Sequence, residues 1–167
     1  MGNRKRHGFL ADMAYGVVAA VFIVLASAMG SDAAVDNPFS LVVGKWSGTG
    51  LMSFDDGTKE RIACEADHSG NARQLRLVIR CASGERDIRM TAHLSSNAGN
   101  LLGFWEEKFY HVAGAINGVA TENKISFTVS GNVNGSMIVT YSKTRQRIVI
   151  TAKGVPLRAL TINMRRR

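Results

Sequence analysis

From residue 44 to the C-terminus, apolar side chains recur at every second position in short runs. Turn signals rich in Gly, Asn and Asp separate these runs, for example "FDDGT" (54–58), "HSGNAR" (68–73) and "SGNVNG" (130–135). A period of two is typical of strands with one buried face, and no interior run shows the 3.6-residue spacing of an amphipathic helix. The pattern predicts an all-β fold of eight to ten antiparallel strands.

Successive hairpins test whether one apolar face continues through the whole sheet. The first of these hairpins places Cys64 opposite Cys81 and Ala66 opposite Ile79, and the next places Ile79 opposite Met90. Residues that lie opposite each other share a face of the sheet. The apolar face therefore passes two turns without a slip.

The second half of the chain has the same pattern. A turn at 121–122 predicts that Phe127 pairs with Ile116, and a turn centred on Val133 predicts that Phe127 pairs with Val139. The apolar residues Leu160, Ile162 and Met164 of the last run require a change of parity, which a three-residue loop or a bulge at Gly154 would supply.

One apolar face retained through so many turns predicts a single antiparallel up-and-down meander that closes into a β-barrel. Closure removes exposed sheet edges. A transmembrane barrel would instead carry its apolar side chains outward, with aromatic girdles at both strand ends. The opposite face here is heavily charged and such girdles are missing, so the pattern favours a soluble barrel.

The N-terminal segment has the features of a secretory signal peptide. A basic start at 4–6 precedes an apolar run at 14–28, and small residues follow. This order predicts a signal peptide over 1–33, cleaved after Ala28 or Ala33. The alternative is a retained membrane anchor, but a spanning helix needs about 20 apolar residues. We expect a periplasmic or secreted protein without a membrane span in its mature chain.

The remaining chain has the size of one domain. Residues 34–43 form an N-terminal extension with a short helical turn at 39–42, and the barrel occupies 44–167. With 21 Lys and Arg against 13 Asp and Glu, the chain has a formal net charge of +8. That balance favours anionic surfaces. Specific nucleic-acid binding is not expected, because the basic residues are scattered and no nucleic-acid-binding motif is present.

Cys64 and Cys81 are the two cysteines of the chain, and the predicted register sets them face to face on adjacent strands. Paired strand positions come close enough for a disulfide, and an exported protein meets an oxidising compartment. The pattern predicts a structural disulfide. No metal site is expected, because His68, His93 and His111 lack ligand spacing.

The sequence contains no recognisable catalytic set. It lacks nucleophile-elbow, zinc-protease and phosphate-loop motifs. Glu106 and Glu107 are adjacent, so in a strand they face opposite sides and cannot flank one bond as a glycosidase requires. We expect a non-catalytic protein without a cofactor.

A closed apolar sheet can hold one small ligand when its inward positions leave room. The candidate lining consists of large side chains: Trp46, Phe104, Phe127, Met137 and Tyr141. Small residues at Ala66, Ala92, Gly114 and Gly118 would provide the space. Trp46 shares the parity of Met52 and Phe54, which points it inward at one end of the barrel.

The stretch "PFSLVVGKWSGTG" (38–50), with Gly44-Lys45-Trp46 at the start of the first strand, resembles the calycin superfamily of lipocalins, fatty-acid-binding proteins and avidins. In those families a Gly-x-Trp on the first strand closes one end of the barrel. The C-terminal Arg-x-Tyr of the fatty-acid-binding members is missing here. The resemblance implies a barrel that binds a small hydrophobic molecule.

A second resemblance, to small periplasmic metalloprotease inhibitors, implies a different function. Those inhibitors insert an N-terminal extension into the protease, and 34–40 would be the equivalent segment. Two functions therefore remain open. One is a carrier of a small hydrophobic ligand, and the other is an interaction module with a solid core that binds an envelope protein or an anionic surface.

Overall fold

The computed structural model describes residues 37–84 and 86–167, which form ten β-strands. The predicted signal peptide and its cleavage positions lie outside the described residues. Within the described part of the chain, no helix has the length and apolar character needed to cross a bilayer. The strands are β1 (Gly44–Phe54), β2 (Lys59–Gly70), β3 (Gln74–Ser83), β4 (Arg86–Asn97), β5 (Asn100–Glu107), β6 (Val112–Ala120), β7 (Lys124–Gly131), β8 (Asn134–Tyr141), β9 (Arg145–Lys153) and β10 (Leu157–Arg166).

Each strand pairs antiparallel with the next along the chain, and β1 pairs with β10 to close the barrel. The predicted all-β, up-and-down barrel is confirmed. It has ten strands, the upper limit of the predicted range of eight to ten. Closure brings the backbones of β1 and β10 together at Gly48, where an added Cβ would collide with the carbonyl oxygen of Asn163. A side chain at this position is incompatible with the seam.

The predicted registers are confirmed in the first half. Cys64 pairs with Cys81, Ala66 with Ile79, and Ile79 with Met90. Cys64 and Cys81 form the expected disulfide. A paired, buried disulfide links β2 to β3 inside the barrel.

In the second half the predicted face is right, but the predicted partners across β6–β7 and β7–β8 are wrong by two residues. Phe127 pairs with Gly118 and Met137, rather than with Ile116 and Val139. Thr121 donates its backbone N–H to the carbonyl of Lys124 at 2.8 Å, so the β6–β7 turn is centred one residue later than expected. A shift of two residues keeps every side chain on its face, so the alternation cannot detect it.

The last hairpin has the predicted three-residue loop, at 154–156 between β9 and β10. This loop lies at one of the two ends of the barrel, which we call the open end and the closed end. The open end is formed by the connections at 55–58, 108–111, 132–133 and 154–156, together with Gly84. The closed end is formed by residues 38–43, the connections at 71–73, 98–99, 121–123 and 142–144, and the C-terminus.

Candidate ligand cavity at the open end

The half of the barrel nearest the open end contains a cavity of about 410 Å³. That volume lies within the range of small-molecule sites, which are predominantly apolar with a few placed polar groups. Its wall is almost entirely apolar, with Met52, Ile88, Met90, Trp105, Val129, Met137, Ile150 and Leu160 among the contributors. The barrel interior is therefore packed at one end and hollow at the other.

Small inward residues account for part of this space. Ala92 lies on the cavity wall, and Ala152 faces the same space nearer the mouth. Gly114 has a different role, because a Cβ there would come within 3.0 Å of Trp105 Nε1 and would meet the backbone of Ser130. The indole of Trp105 thus occupies the position that Gly114 leaves free, and the ring is held against the wall.

One basic side chain, Arg86, contributes to the cavity wall in the described part of the chain. Its Nε donates a hydrogen bond to Glu60 Oε2 at 2.8 Å, and its guanidinium lies 4.7 Å above the ring of Phe54. The hydroxyl of Ser83 donates to the other carboxylate oxygen of Glu60. The hydrogen bonds from Ser83 and Arg86 hold the pKa of Glu60 below its usual value. The guanidinium is therefore held in a fixed orientation at the mouth.

Glu107 is the buried carboxylate of this end. Its Oε1 accepts the backbone N–H of Arg89 at 2.8 Å and that of Phe109 at 3.2 Å, and its Oε2 accepts the N–H of Tyr110 at 2.6 Å. Buried carboxylates are tolerated when backbone donors satisfy them in this way. Glu107 fixes the 108–111 connection, which positions Tyr110 at the mouth beside Arg86.

The closed end is filled by the segment that precedes β1. Residues 38–42 form a helical turn in which the N–H of Val42 donates to the carbonyl of Phe39 at 3.1 Å. Both side chains are fully buried. Trp46 Nε1 donates to the carbonyl of Val42 at 2.9 Å, and Tyr141 Oη donates to the carbonyl of Pro38 at 2.7 Å. The turn therefore seals the barrel below Trp46.

Arg166 stabilises the turn at 38–42 from the outer surface of the barrel. Its guanidinium lies 4.3 Å above the ring of Trp46 and donates to the carbonyls of Leu41 (2.5 Å), Val43 (2.7 Å) and Lys143 (2.7 Å). Guanidinium groups have the planar fork of donors that such multiple contacts require. This residue ties the C-terminal strand to the N-terminal turn.

A buried polar pair, His68 and Gln146, lies near the closed end. Gln146 Nε2 donates to His68 Nε2 at 3.0 Å, and His68 is 1% exposed. Burial lowers the pKa of His68 from 6.5 to about 4, so the ring is neutral at pH 7. Among the described residues, no three His, Cys, Asp or Glu side chains are grouped as a metal site would require.

The structure separates the five residues expected to line a ligand site. Phe127 and Met137 lie on the cavity wall. Trp46 and Tyr141 point inward but are buried at the closed end, away from the cavity. Phe104 must be corrected: it is 57% exposed on the outer face and stacks on His93 with ring centroids 4.8 Å apart. Its neighbour Trp105 takes the inward position.

The polar residues of the two ends were not recognised as inward-facing from the sequence, although the alternation contains the signal. Arg86 has the parity of Ile88 and Met90, and Arg166 has the parity of Ile162 and Met164. In the same way, His68 continues the inward series of β2, and Gln146 that of β9. A polar residue in an apolar series marks a position where the barrel ends or where an inward group has a partner.

No family model and no curated protein sequence matches the chain. Its fold is similar to those of solved structures with low sequence identity. Rv2717c from M. tuberculosis matches with a TM-score of 0.60 and 12% identity, over 77% of this chain and 94% of that one. The S-type phycobiliprotein lyase CPES from Guillardia theta matches with a TM-score of 0.53 and 9% identity, over 77% and 89%.

A third structure, a protein of unknown function from the DUF3598 family of Nostoc punctiforme, matches with a TM-score of 0.50 and 11% identity. The match covers 75% of this chain and 48% of that one. At such identities the similarity concerns the fold alone. The comparisons support the closed antiparallel barrel that the meander predicts.

Proposed function

We propose that the barrel binds a small, largely apolar molecule in the cavity at its open end. The observation that carries the proposal is an apolar cavity of about 410 Å³ inside an otherwise tightly packed barrel. Protein interiors are normally packed to crystal-like density, and a cavity of this size forfeits packing energy unless something fills it. A ligand would supply the missing contacts.

The polar groups on the cavity wall support a binding function rather than a catalytic one. The one carboxylate on its described wall, Glu107, has both oxygens engaged by backbone N–H groups. A general base or nucleophile needs a free atom within hydrogen-bond distance of its substrate. We therefore propose a carrier or sensor rather than an enzyme.

The two tryptophans provide a direct test, because Trp105 contributes to the cavity wall while Trp46 is buried at the closed end. Decanol is titrated into Trp46→Phe, which retains the cavity indole, and into Trp105→Phe, which retains the other. We expect a saturable fluorescence change in the first variant and a much smaller one in the second. A flat titration of Trp46→Phe, shown by near-UV circular dichroism to be folded, would overturn the proposal.

We also propose that the protein acts in the periplasm or outside the cell. The basic and apolar N-terminal segment and the Cys64–Cys81 disulfide support this location. N-terminal sequencing of protein from a periplasmic fraction should find a chain that begins at residue 29 or 34. An uncleaved chain in the cytoplasmic fraction would contradict it.

A specific surface feature supports a second candidate function, an interaction module for anionic envelope surfaces. On the outer face of β9 and β10, the side chains of Arg145, Arg147 and Arg165 surround a groove, and Arg145 lies directly opposite Arg165. Like charges in paired positions repel each other, and a bound polyanion would relieve that repulsion. Co-sedimentation with vesicles of phosphatidylglycerol, compared with Arg145→Gln/Arg165→Gln, tests this function; equal retention of both proteins would count against it.

A further inference from the structure

The mouth of the cavity contains a guanidinium group that the apolar wall does not explain. Arg86 begins β4 on the inward parity of that strand, so its side chain reaches the cavity from the rim. Glu60 engages its Nε, and the ring of Phe54 supports one face of the guanidinium. These contacts orient the group at a fixed place on the rim.

Part of the guanidinium fork of Arg86 is open to a ligand. An arginine carries five N–H donors, and Glu60 is its one ion-pair partner among the described residues. The side chain of Arg86 is 41% exposed, so water reaches the guanidinium group at the mouth. A planar oxyanion can replace that water with two parallel hydrogen bonds. The hydroxyl of Tyr110 accepts a hydrogen bond from the same group, which leaves the remaining N–H donors for a ligand.

The neighbouring acids do not prevent an anion from approaching. Ser83 and Arg86 occupy the carboxylate oxygens of Glu60, and backbone N–H groups occupy those of Glu107. A cationic head group would meet Arg86 directly and would also be opposed by the net charge of +8. Among the described residues, the groups that touch Arg86 or line the cavity therefore favour an anion over a cation.

Building on the proposed function, we propose that the ligand is an amphiphile with a carboxylate or similar planar oxyanion at one end. Its apolar part lies in the cavity, and Arg86 binds its anionic end at the mouth. Arg86 then fixes the orientation of the ligand, with the tail pointing towards the closed end. Glu60 forms an ion pair with the guanidinium and therefore lowers its attraction for a second carboxylate.

Three probes with the same ten-carbon chain separate head group from tail: decanoate, decanol and decyltrimethylammonium. Calorimetry at pH 7.4 should give the tightest binding for decanoate and the weakest for the ammonium compound. Arg86→Gln should weaken decanoate binding by about tenfold, the effect of losing a charge-assisted hydrogen bond. Binding of decanol should change by less than about twofold, because the apolar wall is unaltered.

Two further variants make the test specific. Glu60→Gln removes the competing carboxylate and should strengthen decanoate binding. Arg89→Gln is the matched control, because it lies on the same strand, loses the same charge and pairs with Asp87 away from the cavity. It should leave decanoate binding within about twofold, since separated surface charges are screened.

Each failure has a distinct meaning. Equal affinities for decanoate and decanol in the wild-type protein would overturn the anionic head group and leave the apolar cavity intact. Equal losses in Arg86→Gln and Arg89→Gln would overturn the role of Arg86, because general charge would then explain the effect. Absence of binding for all three probes would overturn the proposed function itself.

Discussion

The two ends of the barrel are built from the same alternation and differ in what fills them. At the closed end, the turn at 38–42 packs beneath Trp46, and Arg166 covers the contact from outside. At the open end, no described segment enters the barrel, and the apolar wall surrounds a cavity. Ten strands fix the circumference of a barrel, but the packing of its interior depends on the residues that cover each end.

This difference assigns different physical roles to similar residues. Trp46 donates its indole N–H to a backbone carbonyl, whereas Trp105 has no hydrogen-bond partner for its indole N–H among the described residues. Arg166 donates hydrogen bonds to three backbone carbonyls, whereas Arg86 donates to the carboxylate of Glu60 and the hydroxyl of Tyr110 at the cavity mouth. We expect substitutions at the closed end to change stability and those at the open end to change ligand binding.

The strongest test of this division is Trp46→Ala against Trp105→Ala. Loss of Trp46 removes a fully buried ring and the anchor of the turn at 38–42. We expect it to cost about 3–5 kcal/mol of unfolding free energy, the usual range for a buried aromatic residue. Urea unfolding followed by far-UV circular dichroism measures the loss.

Trp105→Ala should cost at least about 1 kcal/mol less, because part of the Trp105 side chain faces existing space and no hydrogen bond is lost. An equal or larger cost for Trp105→Ala would remove the distinction between the two ends. Cavity enlargement by Trp105→Ala should also change the affinity for decanol, which the closed-end variant should leave unaltered where it remains folded.

The second prediction concerns acid and the buried His68. Its pKa is 6.5 in an unfolded chain and about 4 in the barrel, because burial disfavours the charged ring. Above pH 6.5 the ring is neutral in both states. As pH falls from 6.5 to 4, the unfolded chain binds a proton that the folded barrel does not, so stability falls by roughly 3 kcal/mol. Below pH 4 both states bind it and this loss stops.

His68→Gln removes this titration and retains an amide beside Gln146. Between pH 7 and pH 4.5, the wild type should lose about 2–3 kcal/mol more unfolding free energy than His68→Gln loses. Carboxylates titrate in both proteins and cancel in the difference. His93→Gln, on the outer face beside Phe104, is the control. Parallel pH profiles for wild type and His68→Gln would show that burial of His68 has no effect on acid stability.

The alternation in the sequence predicts the faces of the strands well, because each slip would expose a whole apolar series. It predicts partners less well. Phe127 pairs two residues away from the expected positions, since a shift of two leaves burial unchanged. The disulfide partners were predictable because the β2–β3 hairpin has a well-defined turn and contains the two cysteines of the chain.

The candidate site was harder to predict where apolar residues occupy both parities. In "LLGFWEE" (101–107), apolar residues stand at consecutive positions, so periodicity cannot decide whether Phe104 or Trp105 faces inward. The pairing of Trp105 with Ala92 settles it. The cavity itself was not predictable, because its existence depends on how far the turn at 38–42 fills the barrel.

The third prediction compares two adjacent arginines of the C-terminal cluster. Arg166→Met keeps an apolar stem over Trp46 but removes the donors to three carbonyls. We expect a loss of about 1–3 kcal/mol in unfolding free energy, typical of hydrogen bonds from a charged group. Arg165→Met, an outward-facing exposed neighbour with the same charge change, should cost less than about 0.5 kcal/mol.

Thermal unfolding of both arginine variants at low and moderate salt provides the measurement. If Arg166→Met were as stable as Arg165→Met, the turn at 38–42 would be held by Trp46 and Tyr141 alone. The larger loss in Arg166→Met should also be nearly independent of salt, because directional hydrogen bonds are screened less than surface charges.

The smallest expected effect on stability comes from filling the cavity. Ala152 is inward-facing on β9 near the mouth, so Ala152→Phe places a ring in the cavity. Stability should change by less than about 1 kcal/mol, because the new contacts offset the cost of reorienting neighbouring side chains. Decanol and decanoate should both lose their binding. Ala63→Phe, the same substitution on the outer face of β2, should keep it. If Ala152→Phe bound both probes normally, the open-end cavity could not be where they bind, whatever the stability of the closed end.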